Sequence, residues 1–142
     1  MLSSNIILTA AHCSALIRVD DAYIVLGDRS KIEKENREQI VDLADSKWIN
    51  HPSYDPKDEY YFDYAIIKLV KPVKFTDYVI PVCLPNSKMN KYENVRATAS
   101  GWGLLKYDGN VPDVLQKVNF DQFQNQDNVL SFCLGRSNHH AQ

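Results

Sequence analysis

The stretch Leu8-Thr9-Ala10-Ala11-His12-Cys13 determines how the rest of the chain is interpreted. Residues 6–9 are β-branched or apolar and contain no breaker, which predicts a short strand. The two alanines then predict a tight turn, so His12 falls where the strand ends. A histidine held at the end of a rigid strand suits a general base, because the ring keeps one orientation. A lone histidine beside a strand is more often structural, so this stretch alone leaves both interpretations open.

Two later stretches add to this pattern. Asp63 precedes the apolar run Ala65-Ile66-Ile67, which places a carboxylate at the mouth of a predicted buried strand. An unpaired buried carboxylate is costly, so Asp63 needs partners, whereas a strand-edge aspartate facing water is the alternative. Near the middle of the chain, Ala99-Ser100-Gly101-Trp102-Gly103 has glycines that let the backbone turn sharply beside a bulky indole.

Taken in this order, the three stretches resemble the trypsin/chymotrypsin family of serine endopeptidases. The resemblance covers about residues 5–120 and implies an all-β, antiparallel, trypsin-like double β-barrel. The sequence then contains most of the first barrel and the start of the second. Many short runs of strand-forming residues, separated by turn signals, agree with this fold class. A polar linker gives the predicted domains: residues 1–92 as a partial first barrel, and residues 93–142 as the beginning of the second barrel with an unmatched tail.

The resemblance also implies the roles of the two candidate catalytic residues. His12 is the general base, and Asp63 accepts a hydrogen bond from its imidazole, fixing the tautomer and stabilising the cation. Other histidines are interpreted differently: His51 precedes Pro52, which favours an extended backbone, so it is a turn residue and not a second base. From residue 121 the match decays, and the paired histidines near the end have no recognised metal-ligand spacing with Cys133.

No serine of this sequence has the Gly-Asp-Ser-Gly-Gly context that surrounds the nucleophile in the family. We therefore expect a fragment, truncated at both ends, of an endopeptidase that hydrolyses peptide bonds by acyl transfer. Alone it is expected to be inactive, since a base and its orienting acid without a nucleophile cannot form an acyl-enzyme. The alternative is a non-catalytic serine protease homologue that acts as a binding or regulatory module. The expected partner of the full-length parent is a protein or peptide substrate.

Composition and cysteine count bear on partners and compartment. The 16 basic and 18 acidic residues form no basic stripe, so no nucleic-acid partner is expected. The apolar runs are far shorter than the about 20 residues of a membrane span. The family resemblance implies a secreted parent, although residues 1–13 lack the pattern of a signal peptide. The family partners of Cys13, Cys83 and Cys133 all fall outside the sequence, so three unpaired thiols are expected; free thiols of a cytosolic protein are the alternative.

The charged segment 28–38 is too polar for a core and predicts an exposed loop. In calcium-binding members of the family this loop holds the metal, and Asp28, Glu35 and Glu38 match the spacing of its carboxylate ligands. Three basic residues lie among these acids and can neutralise them without an ion, so a solvated loop is the alternative. A structural calcium is thus a possible ligand, and no cofactor is expected to be required.

Overall fold

The computed structural model describes residues 1–17, 22–58, 61–84 and 95–123. These residues form seven strands and one short helix. In chain order the elements are β1 (Ile6–Thr9), α1 (Cys13–Leu16), β2 (Tyr23–Leu26), β3 (Gln39–Asp42), β4 (Lys47–Asn50), β5 (Ala65–Lys68), β6 (Val95–Gly101) and β7 (Gln116–Phe123). Every strand pairing among them is antiparallel, which confirms the predicted all-β, antiparallel fold class. No helix in this part of the chain is long and apolar enough to cross a membrane.

The chain divides into two compact units. The first contains residues 1–28 and 36–84 with strands β1 to β5, and the second contains residues 29–35 with the chain from residue 85 onward, including β6 and β7. The predicted domain boundary between residues 92 and 93 lies outside the described residues, and it stays a prediction.

The first unit contains a three-stranded sheet in the order β1-β5-β4 and a two-stranded sheet of β2 and β3. Strand β5 is central, and its Ile67 lies opposite Ile7 of β1 and Trp48 of β4. Because successive side chains of a strand face opposite sides, Ala65 and Ile67 both point inward and are only 3% exposed. The core is completed by four further apolar side chains: Leu43, Leu69, Val73 and Val79. Closure of these sheets into a barrel stays a prediction.

Two turns of the first unit have backbone conformations that explain where strands end. Gly27 follows β2 with φ +77, and a Cβ there would lie 2.7 Å from the Arg37 carbonyl oxygen, so only glycine fits. Strand β3 ends at Asp42. The Asp42 carboxylate accepts a hydrogen bond from the Ala44 N–H at 2.8 Å, and Asp45 has φ +66. This aspartate turn ends the strand.

The second unit contains a two-stranded antiparallel sheet of β6 and β7, and it also contains the segment 29–35. Thr98 lies opposite Asn119, and its hydroxyl donates a hydrogen bond to the Asn119 side-chain oxygen at 2.9 Å. Two backbone hydrogen bonds link this segment to residues 113–115. The Lys31 N–H donates to the Asp113 carbonyl oxygen at 2.9 Å, and the Leu115 N–H donates to the Arg29 carbonyl oxygen at 2.8 Å. The indole of Trp102 donates to the Arg29 carbonyl oxygen at 3.3 Å. Strand β7 continues to Phe123, whereas the resemblance was expected to end at about residue 120.

Candidate active site

His12 is held by the turn that follows β1. Strand β1 ends at Thr9, and His12 then occupies the position before α1 with helical φ −59 and ψ −28. Ala11, in this turn, is completely buried. Its carbonyl oxygen accepts hydrogen bonds from the Ser14 N–H at 3.0 Å and from the Ser14 hydroxyl at 2.7 Å. These bonds fix the backbone from which the imidazole projects.

Asp63 lies two residues before β5, the central strand of the sheet. The preceding residue, Phe62, has φ +54, and the Tyr64 N–H donates to the Phe62 carbonyl oxygen at 2.7 Å. This hydrogen bond closes a three-residue turn with Asp63 in the middle. The turn directs the Asp63 carboxylate toward His12, 51 residues earlier in the chain.

The two side chains form a direct pair. His12 Nδ1 lies 2.6 Å from Asp63 Oδ2, and the backbone N–H of His12 donates to Asp63 Oδ1 at 2.8 Å. The expected approach of the two side chains is therefore confirmed. The Asp63 side chain is 22% exposed, so it is less buried than expected, and that of His12 is 42% exposed. Since the carboxylate can only accept, Nδ1 carries the proton, and Nε2 of the neutral ring is left as a proton acceptor.

The electrostatics of the pair favour an ionised Asp63. Partial burial by itself raises the pKa of the carboxyl, but hydrogen bonds from the His12 backbone and ring, attraction to the ring and a hydrogen bond from the Ala11 N–H outweigh it. The pKa of Asp63 is therefore held below its usual value. An ionised partner at Nδ1 is the state that stabilises an imidazolium.

The neighbouring cysteine is not a nucleophile in this arrangement. Burial first and the charge of Asp63 second raise the pKa of the Cys13 thiol, against a hydrogen bond from Thr9 that lowers it. A thiol with a raised pKa is protonated at neutral pH and unreactive. Cys13 and the exposed Cys83 are both free, as expected, and Cys133 lies outside the described residues.

The predicted calcium ligands lie on the segment between β2 and β3. In the first unit, carboxylate oxygens of Asp28 and Glu38 lie within 4.8 Å of each other. Asp28 Oδ1 is buried without a hydrogen-bond partner, which fits a cation bound there. Glu35 belongs to the second unit, where its carboxylate faces Arg29 Nε at 3.3 Å. Asp28 and Glu38 are thus placed to share a cation, and the full calcium-ligand set of Asp28, Glu35 and Glu38 stays a prediction.

Two residues beside the pair were not predicted to take part in it. The Asn50 side-chain amide donates to the Ser14 hydroxyl at 2.8 Å. The His51 ring stacks on the Phe62 ring at 4.8 Å and contacts the Tyr64 ring at 4.6 Å. His51 does follow β4 in a turn, as predicted, but its ring touches both neighbours of Asp63. The aromatic residues on each side of Asp63 were the only signal for this contact in the sequence.

An antiparallel β fold with a His–Asp pair between the end of one strand and the start of another defines a serine-protease-like class. A model of the trypsin family matches residues 1–137, and the chain belongs to this family of serine proteases. The match reaches well beyond residue 121, so the expectation that the resemblance decays there is wrong.

Individual relatives agree with the family assignment. The chain is 33% identical over 137 residues to the venom serine protease Bi-VSP of Bombus ignitus, which covers 94% of this chain and 37% of that protein. It is 32% identical over 133 residues to the serine protease filzig of Drosophila melanogaster, covering 88% of this chain and 7% of that protein. A solved structure described as "Structure of GrC" superposes with a TM-score of 0.72 at 31% identity, covering 84% of this chain and 49% of that one. The chain thus spans half or less of the length of these relatives.

Proposed function

We propose that this chain is the part of a secreted, trypsin-like serine endopeptidase that supplies the general base His12 and its orienting residue Asp63. The parent protein would hydrolyse peptide bonds of protein or peptide substrates. The observation that carries the proposal is the double contact of Asp63, 2.6 Å from the His12 ring and 2.8 Å from its backbone nitrogen. Two relatives named as venom serine proteases support an extracellular parent.

The pair can perform both proton transfers of acyl transfer. Nε2 of His12 accepts the proton of a serine hydroxyl as the oxygen attacks the substrate carbonyl. The resulting imidazolium keeps its Nδ1–H bond to the Asp63 carboxylate, which offsets the new positive charge. The ring then gives the proton to the departing amine, and the same cycle with water releases the acyl group.

We propose that the nucleophile lies outside the 142 residues of this sequence. No serine here has the Gly-Asp-Ser-Gly-Gly context, and the backbone N–H donors around that serine would also supply the oxyanion hole. The isolated chain is therefore proposed to be inactive. The intact geometry of the pair favours an enzyme over a non-catalytic binding module, since a module gains nothing from an oriented base.

The test uses the complete protein that contains this chain, obtained from the full-length transcript. Hydrolysis of a peptide ester is measured for wild type, His12→Ala, Asp63→Asn and Asp58→Asn. Asp63→Asn is expected to lower kcat about 10⁴-fold, because the amide holds the wrong tautomer of the ring. Asp58 is an exposed acid of the same loop, so Asp58→Asn is the matched control and should match wild type. A transcript without a nucleophile motif, or an Asp63→Asn variant as active as wild type, would favour the binding module.

A further inference from the structure

We infer that Asn50 and His51, consecutive residues at the end of β4, are positioning residues for the His12–Asp63 pair. His51 holds the turn that carries Asp63, and Asn50 holds the turn that carries His12. The inference rests on the proposed function, because it concerns how the proposed base and its orienting residue are kept together. Neither side chain touches the reacting atoms.

The His51 ring lies against both neighbours of Asp63. It stacks on Phe62 with ring centroids 4.8 Å apart and planes 6° from parallel, and it packs against Tyr64 at 4.6 Å and 57°. The backbone N–H of His51 also donates to the Tyr64 carbonyl oxygen at 3.0 Å, which continues the β4–β5 pairing by one step. The imidazole therefore contacts the three-residue turn on each side of the carboxylate.

That turn needs support from outside. Phe62 has φ +54, a left-handed conformation that a bulky side chain rarely adopts and that persists only where its surroundings hold it. The stacked His51 ring gives the Phe62 ring a flat aromatic face to pack on in this conformation. The ring itself is fixed, because its Nδ1 accepts a hydrogen bond from the Ser53 N–H at 3.1 Å. Loss of the ring would let the turn relax and move Asp63 away from His12.

Asn50 acts on the other half of the pair through a chain of hydrogen bonds. Its amide donates to the Ser14 hydroxyl at 2.8 Å, and that hydroxyl donates to the Ala11 carbonyl oxygen at 2.7 Å. The Ala11 carbonyl and the His12 N–H belong to one peptide group, and this N–H donates to Asp63 Oδ1 at 2.8 Å. Consecutive hydrogen bonds polarise each other, so the chain both orients the peptide group and strengthens its bond to Asp63.

The contacts of Asn50 and those of His51 both begin at the end of β4. Asn50 is the last residue of β4 and lies opposite Ala65 of the central strand β5. We call the ring contacts of His51 the His51 arm and the hydrogen-bond chain from Asn50 through Ser14 the Asn50 arm. The Asn50 arm positions the turn that carries His12, and the His51 arm positions the turn that carries Asp63. A misplacement of about 1 Å in such a pair can cost 10²-fold in rate, so small losses at these residues should be visible in kcat.

The His51 arm is tested in the complete protein by kcat and KM for a peptide ester. His51→Asn keeps an acceptor for the Ser53 N–H but loses the ring, and His51→Phe keeps a ring but loses the acceptor. We expect His51→Asn and His51→Ala to lower kcat about tenfold to a hundredfold with KM within about twofold. The kcat of His51→Phe should stay within about threefold of the wild-type kcat, because a phenyl ring can still stack on Phe62. Wild-type kcat in His51→Asn, or a loss in His51→Phe equal to that in His51→Ala, would overturn the role of His51.

The Asn50 arm is tested by a double-mutant cycle with Ser14. Asn50→Ala and Ser14→Ala should each lower kcat, and the double variant should lose no more than the larger single loss, because both interrupt one chain. The titration midpoint of the Asp63 carboxyl, followed by carbon NMR, should rise in each variant. Fully additive losses of kcat in the double variant, or an unchanged titration midpoint of the Asp63 carboxyl, would overturn the positioning role of Asn50. If Asp63→Asn abolishes activity while every Asn50 and His51 variant matches wild type, the positioning inference fails and the proposed function stands.

Discussion

Asp63 uses both carboxylate oxygens on one residue, since Oδ2 faces the His12 ring and Oδ1 accepts from the His12 backbone. The two contacts fix the carboxylate and the ring relative to each other, which a single bond would not do. A general base needs this constraint, because an imidazole free to rotate presents Nε2 to the nucleophile only part of the time. The lowered pKa of Asp63 follows from the same bonds and has a consequence for stability.

Asp63 should stabilise the folded protein less in acid than at neutral pH. Its folded pKa is depressed, so its contribution is complete above the ordinary aspartate value of about 3.9 and is lost as pH falls through the lower folded value. Urea unfolding of the complete protein should therefore show Asp63→Asn less stable than wild type at about pH 7, with the gap closing toward about pH 2. Asp58→Asn, at an exposed acid of the same loop, is the control for the loss of one carboxylate charge. An equal gap at both pH values would contradict the lowered pKa.

The sequence predicted His12 and Asp63 as a candidate catalytic pair, and their side chains do lie 2.6 Å apart, but it did not predict what holds them. His12 and Asp63 could be predicted because each is flanked by a distinctive run of strand residues. The donors on Asp63 could not, because every residue has a backbone N–H and the sequence does not say which ones converge. The positioning contacts of Asn50 and His51 depend on long-range packing between β4 and the turns beside it. That packing depends on strand order, which local patterns do not contain.

Among the strands, β5 does most to position His12 and Asp63. It pairs with both β1 and β4, so the strand that ends before His12 and the strand that ends at Asn50 meet on it. Its inward side chains are 3% exposed and form the centre of the core. The sequence predicted β1 and β5 from their runs of β-branched and apolar residues, whereas the end of β3 depends on a local hydrogen bond of the Asp42 side chain.

Loss of core packing on β5 should destabilise the protein strongly. Ile67→Ala removes a side chain that is 3% exposed, and we expect a loss of about 2–5 kcal/mol in the free energy of unfolding. The control Ile40→Ala, on the neighbouring sheet, removes a side chain that is 59% exposed, and a change within about 0.5 kcal/mol is expected. Urea unfolding of the complete protein measures both. Similar losses for the two variants would contradict the assignment of Ile67 to the core.

We propose that calcium binds the segment between β2 and β3 through Asp28 and Glu38. Calcium should then raise the Tm of the complete protein, and a hundredfold excess over Kd corresponds to about 2.7 kcal/mol. Glu38→Gln should remove most of this gain, because it deletes a carboxylate that lies within 4.8 Å of the Asp28 carboxylate. Glu33→Gln, at an exposed acid of the same segment, should keep it. A Tm that does not depend on calcium, or equal losses in both variants, would favour a solvated loop.

At the scale of the 142-residue chain, strand edges that pair with no other strand among the described residues are expected to promote association. Among the described residues β1 pairs only with β5 and β2 only with β3, so each has a second edge without a strand. Leu8 of β1 is 46% exposed and Tyr23 of β2 is 67% exposed. Exposed edges with apolar side chains are templates for association.

The isolated chain should therefore associate as its concentration rises, which sedimentation velocity can measure. Leu8→Lys places a charge on the exposed edge strand and should reduce association. Tyr107→Lys removes a side chain that is 93% exposed but lies outside any strand, so it should change little. A monomeric wild-type chain, or equal effects of the two substitutions, would show that the strand edges are not responsible.

Labelling by a fluorophosphonate probe tests most directly whether this chain supplies the base to a serine outside its own sequence. The complete protein should label stoichiometrically at one serine beyond residue 142, and His12→Ala should abolish rapid labelling, because the hydroxyl is then no longer deprotonated. The purified, protease-free 142-residue chain should not label at all. Stoichiometric labelling of the isolated chain, or equally rapid labelling of the complete protein after His12→Ala, would contradict the assignment of His12 and Asp63.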